Sequence, residues 1–182
     1  MRKIIFLLLV IFNFSIAKEV TIIGDSLSVG ATKYLKSFIP DAYIDAKVGR
    51  KFQELGNIIP QLEKDGKLKD IVVLELGTNG DFEIEEALNY VDYLLNKGKK
   101  VILVNVKVPR WWQDIVNRKL YIINKLRPQT LLLDWYYISN TVCQMQNINC
   151  FREDGYHLTD EGSYIFSYYI YSAISVIRNG EN

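Results

Sequence analysis

From Glu19 onward, short runs of consecutive apolar residues alternate with longer stretches in which apolar positions recur every third or fourth residue. The short runs, at 20–23, 43–46, 71–76, 101–106 and 130–133, are predicted strands. The longer ones, at 27–38, 52–64, 84–96, 113–126 and 161–177, are predicted helices. Several of the strands are apolar on successive residues, as parallel strands covered on both faces require. Turn signals fall between the elements at Asp65-Gly66, Lys97-Gly98 and Arg127-Pro128. Regular alternation of strand and helix predicts an α/β fold, a three-layer α/β/α sandwich on a five-stranded parallel sheet with right-handed crossovers.

The first residues carry a different pattern. Met1, Arg2 and Lys3 form a short positive flank, residues 4–14 are almost wholly apolar, and Ser15-Ile16-Ala17 is a small-x-small sequence. The apolar run falls short of the roughly 20 residues a spanning helix needs, so residues 1–17 are predicted to be a secretory signal peptide. An uncleaved anchor, the alternative, leaves the same domain on the outer side of the membrane. Either way the protein is expected to be exported, to a periplasmic or extracellular location. Residues 18–182 then make one domain with a single sizeable core.

In open parallel sheets, ligands bind beyond the carboxyl ends of the strands. The residues that follow the first four predicted strands are Gly24-Asp25-Ser26, Lys47-Val48-Gly49-Arg50, Gly77-Thr78-Asn79-Gly80 and Lys107-Val108-Pro109-Arg110-Trp111-Trp112. Chemically distinctive side chains therefore collect at one edge of the sheet.

Composition narrows the chemistry. The 22 basic residues nearly balance the 21 acidic ones and are scattered along the chain, so nucleic acid is not expected as a partner. A single histidine, His157, rules out a poly-histidine zinc site, and neither a Walker loop nor Gly-x-Gly-x-x-Gly follows the first strand. No metal and no cofactor are expected. Export places Cys143 and Cys150 where disulfides persist, and pairing is expected, with two independent buried thiols as the alternative.

A lone histidine is more often structural than catalytic, but the setting of this one argues otherwise. In Asp154-Gly155-Tyr156-His157, a carboxylate three residues before the imidazole can accept from Nδ1–H, fixing the tautomer and leaving Nε2 free to take a proton. Thr159 or Asp160 then caps the last helix. Ser26, between a buried strand and a helix N-terminus, is the matching nucleophile, although serine there can also be a plain cap. Backbone N–H groups of Ser26 and Gly49 and the side-chain amide of Asn79 are candidate oxyanion donors. Gly49 as turn geometry and Asn79 as a left-handed loop residue are the plainer alternatives. Gly-x-Ser-x-Gly, the nucleophile elbow of α/β-hydrolases, is absent.

The ordered set resembles the SGNH (GDSL-like) hydrolase superfamily, marked by Ser, Gly, Asn and His in four blocks. Here they are Gly24-Asp25-Ser26-Leu27-Ser28, Gly49, Gly77-Thr78-Asn79 and Asp154-Gly155-Tyr156-His157-Leu158. The resemblance implies a flavodoxin-like SGNH fold, a Ser26-His157-Asp154 triad, and an oxyanion hole of Ser26, Gly49 and Asn79. Asp45-Ala46-Lys47-Val48-Gly49-Arg50, Gly77-Thr78-Asn79-Gly80 and Val108-Pro109-Arg110-Trp111 further resemble the extracytoplasmic catalytic domains of peptidoglycan O-acetyltransferases. Lys51 stands where those domains often have glutamine. What this implies is a serine esterase or O-acyltransferase acting on small acyl esters of carbohydrate, such as acetylated cell-wall glycan. Its partners are then an acyl ester donor, supplied by a separate membrane protein or a soluble ester, and a carbohydrate acceptor such as peptidoglycan. Arg50, Arg110, Trp111 and Trp112 are the expected substrate-binding residues. A lipid or lysophospholipid esterase is the alternative enzyme, and a silent carbohydrate-binding module is a more distant one.

Overall fold

Residues 18–180 are described by a computed structural model; the signal peptide expected over 1–17 lies outside the described residues. In chain order the elements are β1 (Val20–Gly24), α1 (Ser26–Phe38), β2 (Tyr43–Ala46), α2 (Leu55–Lys64, entered through a 3-10 turn at Phe52–Glu54) and β3 (Ile71–Glu75). They continue as α3 (Ile84–Asn96), β4 (Lys100–Val104), α4 (Gln113–Leu126), β5 (Leu131–Leu133), α5 (Trp135–Met145) and α6 (Asp160–Asn179). The five strands form one parallel sheet in the order β2-β1-β3-β4-β5, as the alternation predicts.

The period of two along each strand sorts side chains into two cores. Ile22, Ile71, Val73, Ile102 and Val104 face α1, α5 and α6, while Ile23, Val72, Leu74, Val101 and Leu103 face α2, α3 and α4. Every residue of β1 and of β3 is buried, which explains their near-continuous apolar sequences; β2 and β5, at the edges, are only partly covered. Burying each large aliphatic side chain contributes about 1.5–3 kcal/mol, so a charge at Val73 would break the sheet at its centre.

Helix α5 is the one element the sequence pattern misses. Its buried residues, Trp135, Ser139 and Cys143, form a stripe one residue wide that includes a serine, and Tyr-Tyr-Ile and Thr-Val are weak helix formers. Capping compensates: Asp134 Oδ1 accepts from Tyr137 N–H at 3.0 Å, and Asn105 Oδ1 accepts from Tyr136 N–H at 2.8 Å. Cys143, in this helix, is disulfide-bonded to Cys150, with 6.0 Å between their Cα atoms. The expected bridge is therefore present, and it ties α5 to the segment that enters the Asp154–His157 loop.

Helix α6 begins where Thr159 Oγ1 accepts from Gly162 N–H at 3.0 Å, with Asp160 and Glu161 in its first turn beside the positive end of the helix dipole. Among the described residues, no helix is long and apolar enough to cross a membrane. Strand order reverses at β1, since the chain runs from β1 outward to β2 and then back past it to β3. The crevice at the carboxyl ends of β1 and β3 is thus the place where this topology leaves room for a ligand.

Candidate active site

Ser26 is the first residue of α1, and the turn that presents it is held from both sides. Asp25 caps the helix, its Oδ1 accepting from Leu27 N–H at 3.0 Å. Behind the turn, Glu75 at the end of β3 is 2% exposed, and its Oε2 accepts from Asp25 N–H (3.2 Å), Ser28 N–H (3.3 Å) and Ser28 Oγ–H (2.7 Å). This close nesting requires glycine at 24, where a Cβ would stand 2.2 Å from Ser28 Oγ and 2.9 Å from Glu75 Oε2. Burial, then the neighbouring Asp25, pushes the Glu75 carboxyl well above its ordinary value; burial also raises Asp25. The two acids thus retain protons to higher pH than exposed carboxyls do.

The histidine loop meets this turn directly. His157 Nε2 lies 3.1 Å from Ser26 Oγ, and Nδ1 lies 2.7 Å from Asp154 Oδ2. Asp154 accepts the Nδ1–H, so Nε2 is the free acceptor to which Ser26 Oγ–H donates. The other carboxylate oxygen, Oδ1, accepts from the backbone N–H of Tyr156 (3.1 Å) and His157 (2.9 Å), so one side chain holds both the loop and the ring. Partial burial alone would raise the Asp154 carboxyl, but the bonds from the His157 ring and from these two N–H groups outweigh it and bring it down to about 2. The Tyr156 ring lies over the imidazole, with centroids 4.2 Å apart. Ser26, His157 and Asp154, predicted as a unit, are brought together as one.

The oxyanion candidates surround the same point. Gly49 is the third residue of a turn closed by Arg50 N–H donating to Lys47 O at 3.2 Å; its φ of 75° favours glycine, and no protein acceptor meets its N–H among the described residues. Asn79 Nδ2 donates to Asp25 Oδ2 (3.2 Å) and to Arg50 O (3.1 Å), tying the third predicted block to the first two. Both amide protons of Asn79 therefore have acceptors within the protein in this state.

The expected substrate-binding residues divide. Arg50 is a correction: its side chain is only 7% exposed and turns inward, donating to Gly24 O, Asp45 O and the Asp45 carboxylate. The carbonyl ends of β1 and β2 supply acceptors there, so the guanidinium closes the sheet edge. Arg110 is exposed, over the ring of Tyr156 at 5.8 Å. Trp111 is 75% exposed and packs edge-on against Trp112 at 5.7 Å, while Trp112 is half-buried against the core of α2, α3 and α4. A ring for stacking is thus offered by Trp111, with Trp112 as its anchor. The sequence reading missed Arg152, which with Ser26, Leu27, Val29, Val48 and His157 lines a cavity of about 220 Å³. Only its position two residues before Asp154 would have marked it. Among the described residues no group of His, Cys, Asp or Glu is assembled that would hold a metal ion.

No family model matches the chain. It is 40% identical over 144 residues to a provisionally named O-acetyltransferase of Staphylococcus aureus (strain COL), covering 78% of this chain and 22% of that protein. It is 37% identical over 150 residues to the peptidoglycan O-acetyltransferase OatA of Listeria monocytogenes, covering 82% of this chain and 23% of that one. The chain therefore spans less than a quarter of the length of the curated relatives it matches. Among solved structures, the C-terminal catalytic domain of the Streptococcus pneumoniae peptidoglycan O-acetyltransferase OatA superposes with a TM-score of 0.75 at 20% identity, covering 90% of this chain and 96% of that one. With the parallel sheet and the four sequence blocks converging on one edge, the chain is homologous to a segment of these O-acetyltransferases and shares the fold of the OatA catalytic domain.

Proposed function

We propose that the protein is an exported O-acyltransferase that moves a small acyl group, acetyl above all, between an ester donor and a carbohydrate hydroxyl through an ester on Ser26. The observation that carries this reading is the continuous relay from Ser26 Oγ through His157 Nε2 and Nδ1 to Asp154, at 3.1 and 2.7 Å. In the first half-reaction His157 takes the Ser26 proton as Oγ attacks the ester carbonyl, then returns it to the departing alcohol oxygen. In the second, an acceptor hydroxyl gives its proton to His157 and attacks the acyl-serine. The developing oxyanion is met by the N–H groups of Ser26 and Gly49 and by Asn79, which turns one amide proton from its 3.2 Å bond with Asp25.

The cavity at Ser26, about 220 Å³, is below the 300–1,000 Å³ typical of sites for larger ligands, which favours a small ester over a lipid one. The carbohydrate acceptor, peptidoglycan included, is inferred from the names of the relatives and from the exposed ring of Trp111. The test supplies purified protein with an activated acetyl ester and a chito-oligosaccharide and weighs the products by mass spectrometry. Acetylated oligosaccharide, reduced by Trp111→Ala, supports transfer. Free acetate alone at every acceptor concentration, with deacetylation of a pre-acetylated glycan, would make the protein an esterase.

A further inference from the structure

The cavity at Ser26 is a surface depression lined by Leu27, the exposed Val29 and Val48, and one permanently charged side chain, Arg152, also exposed. Its backbone is fixed by the hairpin that carries the histidine: Arg152 N–H donates to His157 O at 2.8 Å, and Phe151 pairs with Leu158. Its side chain is fixed as well, with Nε donating to Leu158 O at 3.0 Å. That bond holds the plane of the guanidinium and leaves the two Nη groups without a protein acceptor among the described residues. Arg50, Arg127 and Arg178 are each paired with an aspartate, whereas Arg152 has no carboxylate partner among the described residues. The neighbouring Asp154 is committed through both oxygens to His157 and Tyr156.

A braced guanidinium with its fork open is the geometry that binds carboxylate or phosphate through two parallel N–H bonds. Its place also decides which half of the substrate it meets. His157 Nε2 must reach the alcohol oxygen to protonate it, and Arg152 stands on the hairpin that carries His157, its backbone N–H paired with the His157 carbonyl, so the alcohol is the half of the substrate we assign to it.

We propose that Arg152 is a specificity-determining residue whose guanidinium binds an anionic group, carboxylate or phosphate, carried on the alcohol portion of the ester or acceptor engaged at Ser26. This rests on the serine mechanism above and adds to it the class of alcohol: an anionic glycan or other acidic alcohol in preference to a neutral one.

Three aryl acetates test it: 4-acetoxybenzoate, 4-acetoxyphenyl phosphate and the neutral methyl 4-acetoxybenzoate. In each, the acetyl–oxygen bond breaks as the Ser26 ester forms, the phenol leaves with the proton from His157, and water then releases acetate. Arg152→Gln is expected to lower kcat/KM for the anionic esters about tenfold more than for the neutral one, mostly in KM. Arg152→Lys restores part of that difference, and high salt shrinks the wild-type preference. Whichever anion shows the larger ratio is the one the guanidinium prefers. An equal fall for all three esters means that Arg152 only braces the loop, and the proposal is wrong. Hydrolysis untouched by Ser26→Ala would instead overturn the serine reading and this inference with it.

Discussion

Replacing Glu75 by alanine removes the acceptor of three hydrogen bonds that hold the nucleophile turn, from Asp25 N–H, Ser28 N–H and Ser28 Oγ–H. The Ser28 hydroxyl can rotate toward a backbone carbonyl one turn back, but the two N–H groups are left buried without partners. At about 1–3 kcal/mol each, the loss centres on about 4 kcal/mol, a large part of the 5–15 kcal/mol that stabilises a typical domain. For a domain of this size it corresponds to a fall in Tm of about 10 °C. Glu75→Gln keeps an acceptor oxygen in the same place and should cost about 1 kcal/mol or less.

The two variants also separate in their pH response. Because burial and Asp25 raise the folded Glu75 carboxyl above its ordinary 4.5, the folded state binds more protons than the unfolded one between that value and the raised one. This contribution to stability is complete below 4.5 and declines as pH rises through that window, so Glu75→Gln should show a shallower decline. Calorimetric melts of the three proteins from about pH 4 to pH 9 measure both effects. An alanine variant no less stable than the glutamine variant, or an unchanged pH slope in Glu75→Gln, would refute this account of the turn.

Asp154→Asn should lower kcat by about 10³–10⁴ through loss of the correct imidazole tautomer. With the wild-type carboxyl at about 2, that loss should be constant across the neutral range, as a pH–rate profile will report. Its contribution to folding, present above 3.8 and lost as pH falls toward about 2, is small because the side chain is 40% exposed. Asn79→Ala should cost about 10²–10³ in kcat with little change in KM; a pure KM effect would make Asn79 a substrate-binding residue. Replacing Cys143 and Cys150 by serine opens a loop of seven residues' separation and should cost about 2–3 kcal/mol in chemical denaturation.

The fold was legible because its central strands are buried on both faces: β1 and β3 carry consecutive apolar residues and their helices are strongly amphipathic. Helix α5 was not, since its buried stripe includes Ser139 and its start depends on Asn105, a residue 31 positions from the Tyr136 N–H it accepts. Strand ends were overextended at Leu76 and Val106, which are apolar and buried but belong to the loops that follow β3 and β4. At the site, the juxtaposition of Ser26, Asp154 and His157 was legible because local spacing and element boundaries constrain it. Arg50 was misassigned because only tertiary structure reveals the Asp45 carboxylate and free carbonyls that draw it inward. Glu75 went unnoticed inside an apolar strand, where one buried acid gives no pattern, and Arg152 sits on a loop without periodicity.

The central claim is that catalysis passes through an acyl ester on Ser26. Rapid acid quench of the protein with an activated acetyl ester, followed by peptide mass mapping, measures it directly. The account predicts one acetyl group on the peptide containing Ser26, accumulating in a burst, and absent in Ser26→Ala and in His157→Ala. Turnover of the ester with no acetyl on Ser26 at any quench time, or persisting in Ser26→Ala, would contradict it.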